Sequence, residues 1–319
     1  MVPVALTAIL FSSPLYFNLF GRLIFGRNAS KFGYFQHVVE NRNGVIAVTP
    51  DGAVMGGGVY DGYFNVDPLR DKNLIVRAYA LGLFEPAAKK TLMIGLSSGS
   101  WAQVAINDPG IGSMDIVEIN PGYLGLIEQY PMVSSLLHNP KVRIYVDDGR
   151  RWLLAHPDAH YDLVLMNTSY HWRDHMSNLL SADFLRIVQA HLNPGGILYY
   201  NATGSADVMA TGLHVFRYGI RVMNFLAVSD SPFPVDKERW LKTLREYRID
   251  GQLMFDPKNP RTQVALTAYG LLADTLHGPP QDQGLEAGDS MAKRIGAQHI
   301  ITDDNMGAEW TKVNGADWR

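Results

Sequence analysis

The chain has 319 residues, 47% of them apolar and 18% charged, with a net charge of -3 and no cysteine. The apolar share suits a globular core and excludes a disordered or collagen-like chain, while the charged share is below the usual quarter and points to an extended apolar surface. The acidic balance argues against nucleic acid as a partner. Without cysteine there is no disulfide, zinc–thiolate site, iron–sulfur cluster or thiol nucleophile, so any chemistry comes from oxygen and nitrogen groups or a bound cofactor.

Residues 3–20, PVALTAILFSSPLYFNLF, carry no charge, a run at the lower length limit for a membrane span. No basic residues precede it and no small-residue cleavage site follows, unlike a secretory signal. Residues 1–30 are therefore expected to form a unit of their own. Either residues 1–26 associate with a membrane, or the run is an amphipathic or core-packing helix kinked at Pro14. In the first case Arg22, Arg27 and Lys31 place the rest of the chain on the cytoplasmic side; in the second the protein is simply cytoplasmic.

Residues 44–60, GVIAVTPDGAVMGGGVY, read as a β-hairpin around Pro50-Asp51-Gly52. The following DKNLIVRAYALGLF spaces Leu74, Ala78 and Leu81 as a helix does. Together these suggest an N-terminal region over 31–88. From Thr91 onward the apolar runs TLMIG, MDIVEI, VRIYV, YDLVLM and GILYYN alternate with helix-compatible stretches. That pattern predicts an α/β fold with a parallel sheet covered on both faces, its strands near 91–95, 114–119, 142–146, 161–166 and 196–201, in a domain over 89–230. Beyond Gly204, LHVFRYG and RVMNFLAV are expected as edge strands. The remainder, 231–319, reads as a helical extension and tail in which VDKERWLKTLREY is an exposed amphipathic helix and 278–288 a surface loop.

Three strand ends carry the chemistry. The first is followed by Gly95-Leu96-Ser97-Ser98-Gly99-Ser100-Trp101, a turn whose glycines allow close backbone approach before a helix N-terminus. The second ends in Val117-Glu118-Ile119-Asn120. An acidic residue roughly 20 positions after such a turn suits the two hydroxyls of a ribose. The third closes with Val146-Asp147-Asp148-Gly149, where a carboxylate can accept from an exocyclic amine or can cap the next helix. Taken together, the three describe a nucleoside site along the carboxyl edge of the sheet.

Over roughly 40–230 the sequence resembles the spermidine synthase family, and more closely the bacterial proteins in which such a domain follows membrane segments. The likeness rests on IGLSSGSW, VEIN, NPKVRIYVDDGRRWL and YDLVLMNTS. It implies a Rossmann-like S-adenosylmethionine-dependent transferase sheet with a small N-terminal β-hairpin region. Its nucleoside co-substrate would be S-adenosylmethionine or decarboxylated S-adenosylmethionine, without a metal. It also implies that Glu118 holds the ribose hydroxyls, that Asp148 holds the adenine amine, and that Gly95 and Gly99 lie along the methionine-derived tail. Ser98, Asp147 and Gly149 complete the candidate donor set. Relatives commonly form homodimers, although no stretch of this chain marks an interface.

Two departures bear on activity. The family's glycine turn carries an aspartate where this chain has Ser98. Its Asp-Ser-Ser-Asp-Pro after the fourth strand is here Asn167-Thr168-Ser169-Tyr170-His171, so both carboxylates are replaced, by Asn167 and Tyr170. An amide cannot take a proton from an attacking amine, and losing a placed general base costs about 10²–10⁴ in rate. These changes count against ordinary spermidine synthesis. Asn167, His171 and Arg173 are the candidate catalytic residues facing a small-molecule acceptor, with Arg173 suited to a carboxylate. His171 and His175 stand four apart, but two histidines do not define a metal site. Tyr60-Asp61-Gly62-Tyr63 is expected near the nucleotide, and Thr302-Asp303-Asp304 marks a tail returning toward the cleft. The alternative to an enzyme is a non-catalytic, membrane-associated nucleoside-binding module.

Overall fold

Four short strands, β1 (His37–Asn41), β2 (Gly44–Val48), β3 (Ala53–Gly56) and β4 (Val59–Tyr63), make an antiparallel sheet in chain order. The computed structural model describes residues 18–29, 34–84, 87–167 and 177–305. The expected hairpin is thus the middle of a larger sheet. Its Pro50-Asp51-Gly52 turn closes with Gly52 at φ 97°, and Thr49 Oγ1 donates to Asp51 Oδ1 at 2.7 Å. The outer strands were less legible because β1 alternates half-buried and exposed residues without a continuous apolar run.

The expected helix over 71–84 divides into Val76–Tyr79 and Leu81–Phe84, both wholly buried. Leu74 precedes them at φ 50° and is outside the helical stripe.

The central sheet has eight strands. In chain order they are β5 (Lys90–Ile94), β6 (Ser113–Glu118), β7 (Val142–Val146), β8 (Tyr161–Met166), β9 (Leu192–Asn201), β10 (Tyr218–Val222) and β11 (Phe225–Ser229), followed later by a last strand, Leu285–Ala287. Between them, β12 (Arg248–Ile249) and β13 (Gln252–Leu253) form a separate two-stranded ribbon, so the last strand is β14. The order across the sheet is β14-β10-β11-β9-β8-β5-β6-β7. Strands β7, β6, β5, β8 and β9 run parallel, and β11, β10 and β14 add antiparallel pairings. This is a Rossmann-like, mostly parallel α/β sheet whose connections reverse direction between β5 and β8.

Alternation along each strand explains the continuous apolar runs. Met93, Leu165, Ile197 and Tyr199 pack toward the layer holding Trp101 and Leu126. Leu92, Ile94, Val164, Met166, Leu198 and Tyr200 pack toward Trp152, Phe184 and Val208. Both faces are covered by helices, so neither series can be polar.

Three expectations need correction. Leu213-His214-Val215 of LHVFRYG ends the helix Ala206–Val215 rather than starting a strand. Strands β10 and β11 are interior, because β14 pairs with β10 and takes the edge. For the same reason 278–288 is not wholly a loop: Leu285 and Glu286 are buried in β14. Glu286 accepts from Arg221 Nε at 2.9 Å and Arg294 Nη2 at 2.7 Å, and two guanidinium partners make a buried carboxylate tolerable. The amphipathic helix stands at Lys237–Glu246, with Trp240 and Leu244 buried.

Among the described residues no helix is long and apolar enough to cross a membrane. The helix Leu19–Phe25 has 7 residues, and positions 1–17 of the expected span lie outside the described residues.

Candidate functional site

The carboxyl ends of β5, β6, β7 and β8 open onto one cavity of about 530 Å³. Gly95, Glu118, Asp147, Asp148, Gly149 and Asn167 of the sequence-derived set all line it. It sits at the point where the strand order reverses, the usual ligand position in open α/β sheets.

Each wall residue is placed by local geometry. Gly95 leaves β5 at φ 84°, a backbone conformation that favours glycine. Glu118 ends β6 and is buried. Its Oε2 accepts from Leu96 N–H at 2.6 Å and its Oε1 from Asn120 N–H at 2.7 Å. Removal from water pushes its carboxyl up to about 7, against those amide bonds and reinforced by the charge of Asp61. The backbone amides of Leu96 and Asn120 fix the carboxylate plane at the cavity wall.

Asp148 serves two ends at once. Its Oδ1 accepts from Arg151 N–H at 2.8 Å, capping the helix Gly149–Ala155, while the residue borders the cavity. Asp147 Oδ1 accepts from Arg151 Nε at 2.6 Å. A Cβ on Gly149 would lie 2.5 Å from Ile94 Cγ2, so this helix can approach β5 only with glycine there.

Two members of the set are placed differently. Ser98 lines a second cavity, and its hydroxyl lies 2.9 Å from Tyr63 O. Gly99, at φ 73°, starts the helix Ser100–Ile106, and a Cβ there would meet Ile127 Cδ1 at 2.9 Å; it packs rather than lining either cavity. His171, Arg173, Tyr170 and His175 lie outside the described residues.

Sequence reasoning passed over several wall residues. Ile119 is 56% exposed at the cavity although apolar; in the sequence it reads as the continuation of an apolar strand, so VEIN gave no signal of that exposure. Asn43, from the β1–β2 turn, donates to Ile119 O, and Asn41 Nδ2 donates to Asn120 Oδ1 at 2.7 Å, so the N-terminal sheet grips the end of β6. Arg150 reaches the same cavity and is held by Asp303, with Nη1–Oδ1 3.0 Å. Hydrogen bonding to Arg150 keeps the Asp303 carboxyl below its ordinary range. The returning tail therefore fastens the cavity rim.

The second cavity, about 260 Å³, adjoins the first. Asp61, Ser97 and Asn167 border both. Asp61 is carried on β4, where Ser97 Oγ donates to its backbone carbonyl at 2.9 Å and Tyr123 donates its hydroxyl proton to the carboxylate. A Cβ on Gly62 would come 2.7 Å from Ser97 Oγ, so the strand lies close over the glycine turn.

No family model matches the sequence. The chain is 28% identical over 132 residues to the polyamine aminopropyltransferase of Mycobacterium tuberculosis (strain CDC 1551 / Oshkosh), a match covering 39% of this chain and 25% of that one. The Agathobacter rectalis polyamine aminopropyltransferase is 29% identical over 116 residues, covering 36% and 40%. The spermidine synthase of Coffea arabica is 25% identical over 174 residues, covering 47% and 54%. In structure, spermidine synthase from Thermotoga maritima superposes with a TM-score of 0.51 at 12% identity, covering 74% of this chain and 84% of that one. A spermidine synthase in complex with the transition state analogue AdoDATO gives 0.51 at the same identity, covering 74% and 83%. The chain is spermidine synthase-like. This spermidine synthase-like chain matches between a quarter and about half of the length of those curated relatives, and the structural likeness concerns the fold.

Proposed function

We propose that the chain binds a sulfonium nucleoside, S-adenosylmethionine or its decarboxylated form, in the larger cavity and transfers a carbon group from it to a small molecule in the smaller one. The observation that carries this reading is that Glu118, Asp148 and Gly95 wall one cavity at the switch point of the sheet. In it, the ionised Glu118 accepts from both ribose hydroxyls, Asp148 accepts from the adenine amine, and Ile119 lies against the base. The tail follows Gly95 toward Asn167, so the sulfonium carbon reaches the junction of the cavities. Holding donor and acceptor there supplies the orientation that displacement of a thioether needs. His171 and Arg173 belong on this reading to the acceptor side. Ordinary spermidine synthesis is disfavoured because Asn167 and Tyr170 replace both motif carboxylates.

The same replacement, with Asn167 at the junction, supports a second reading, a nucleoside-binding module without turnover. Calorimetric titration of the full chain with S-adenosylmethionine, its decarboxylated form and methylthioadenosine tests both. Binding followed by release of a thioether nucleoside on adding acceptor supports the enzyme; binding without release supports the module; no binding ends both. Membrane attachment through residues 1–26 is a separate proposal, resting on the uncharged run at 3–20. Deleting residues 1–28 should then free the protein from the membrane fraction, and an unchanged distribution removes the proposal.

A further inference from the structure

The charges around the second cavity are segregated. Its wall carries Lys72 and Arg77, the amides of Asn73, Asn167, Asn201 and Asn224, and one carboxylate among the described residues, Asp61. Asp61 stands at the junction with the nucleoside cavity, whereas Lys72 and Arg77 border the second cavity alone. Lys72 is at the rim, 3.3 Å from Asp51 and 2.8 Å from the Tyr63 hydroxyl. Arg77 is the inner cation, only 8% exposed.

Its guanidinium is oriented by its neighbours. Nε donates to Leu74 O at 3.0 Å, Nη2 to Asn73 O at 2.7 Å, and Nη1 to Asn224 Oδ1 at 2.5 Å. The group lies 4.7 Å from the Phe225 ring centroid and 5.4 Å from that of Trp101. These acceptors and rings are uncharged and orient the fork at the cavity wall, and the Asp71 carboxyl also feels the guanidinium charge. A diamine bound with one nitrogen at Asp61 would bring its second ammonium toward this wall, a like-charge juxtaposition that buried sites reject. A carboxylate in the same place meets a pre-oriented guanidinium.

We propose that the acceptor is an amine that itself bears a carboxylate, with its nitrogen at Asp61 and its carboxylate toward Arg77. The inference rests on the nucleoside-donor reading above. In the step, the lone pair of the neutral nitrogen forms a bond to the carbon on the sulfonium. The C–S bond breaks and its electron pair stays on sulfur, which departs as a neutral thioether. The proton shed by the new ammonium passes to the Asp61 carboxylate and from there to water. Asp61 thereby does the work that Asn167 cannot.

The test uses the full chain, both sulfonium nucleosides, and 4-aminobutanoate, 1,4-diaminobutane and butylamine at equal concentration, following thioether nucleoside release. Release with 4-aminobutanoate is expected to exceed that with the diamine by about tenfold or more. Arg77→Gln should raise KM for 4-aminobutanoate by about tenfold and collapse its preference over butylamine, with donor Kd changed less than about twofold. Faster release with the diamine, or an Arg77→Gln variant that slows both amines equally, overturns the proposal. Should that variant not fold, wild-type inhibition decides: butanoate must compete with the acceptor more strongly than butylamine, and the reverse order overturns it. If a donor binds but no acceptor is turned over, binding of 4-aminobutanoate against the diamine to the donor-loaded protein decides in the same way. If neither donor binds, the nucleoside reading fails first; if a donor binds and discrimination is absent, this inference fails alone.

Discussion

The two cavities meet at Asp61, Ser97 and Asn167, yet they are assembled differently. The larger is made from consecutive strand ends, and its described floor includes Glu118, Asp147 and Asp148. The smaller draws on β4, the 72–77 segment, the glycine turn, the end of β9 and the β10–β11 turn, and its inner wall carries a guanidinium and amides. One architecture thus places a carboxylate-rich cavity beside one whose wall carries Lys72 and Arg77. The parallel sheet supplies most of the carboxylates of the first, with the β1–β2 turn and the returning tail bracing its rim, whereas the second draws more of its wall from connecting segments.

The sharpest way to break the comparison is Asp61→Asn. It should lower turnover about 10²–10⁴-fold, as loss of a proton acceptor does, while calorimetry above pH 8, where Glu118 is ionised with or without the Asp61 charge, shows little change in donor affinity. An equal loss of donor binding would mean the cavities are not separable.

Titration is the next test. On the proposed reading ribose hydroxyls favour ionised Glu118, whose carboxyl is raised to about 7 by burial. Donor affinity should therefore fall about tenfold per pH unit below that value, with proton release on binding in calorimetry at pH 6. The unliganded fold responds with the opposite sign to an ordinary paired carboxylate. Between the unfolded value near 4.5 and the folded value near 7 the native state holds the extra proton. Stability should decline as pH rises through this window, by on the order of 3 kcal/mol from this group. A flat stability profile over pH 4–8 would contradict it.

Glu118→Gln should weaken donor binding about 10–100-fold by removing a charge-assisted acceptor and should abolish that pH dependence, measured by titration at pH 6 and 8. The smallest effect separates two roles of Asp148. Asparagine caps a helix as well as aspartate, so Asp148→Asn should leave thermal unfolding unchanged yet reduce affinity for an adenine nucleoside about tenfold. Unchanged affinity would leave Asp148 as a cap alone.

Legibility followed the same division. Strands β5 to β8 could be placed within a residue or so because burial on both faces makes their runs apolar throughout. Glu118 and Asp148 stood out as acids at the ends of such runs. Arg77 did not: within LIVRAYALG it reads as one cation on a helix, and only the approach of Phe225 and Asn224, almost 150 positions away, makes it a cavity wall. Strand β14 escaped notice because Leu285-Glu286-Ala287 is too short to show a period. It becomes a strand through its pairing with β10 and the Arg221–Glu286–Arg294 contacts.

The amino-acid order by itself determined the parallel sheet, the glycine turn after β5 and the acids at the ends of β6 and β7, since these depend on local periodicity and on neighbours one strand away. Tertiary structure alone decided that Asp61 stands between two cavities and that the cation faces the second, because those contacts join segments with no regular spacing along the chain.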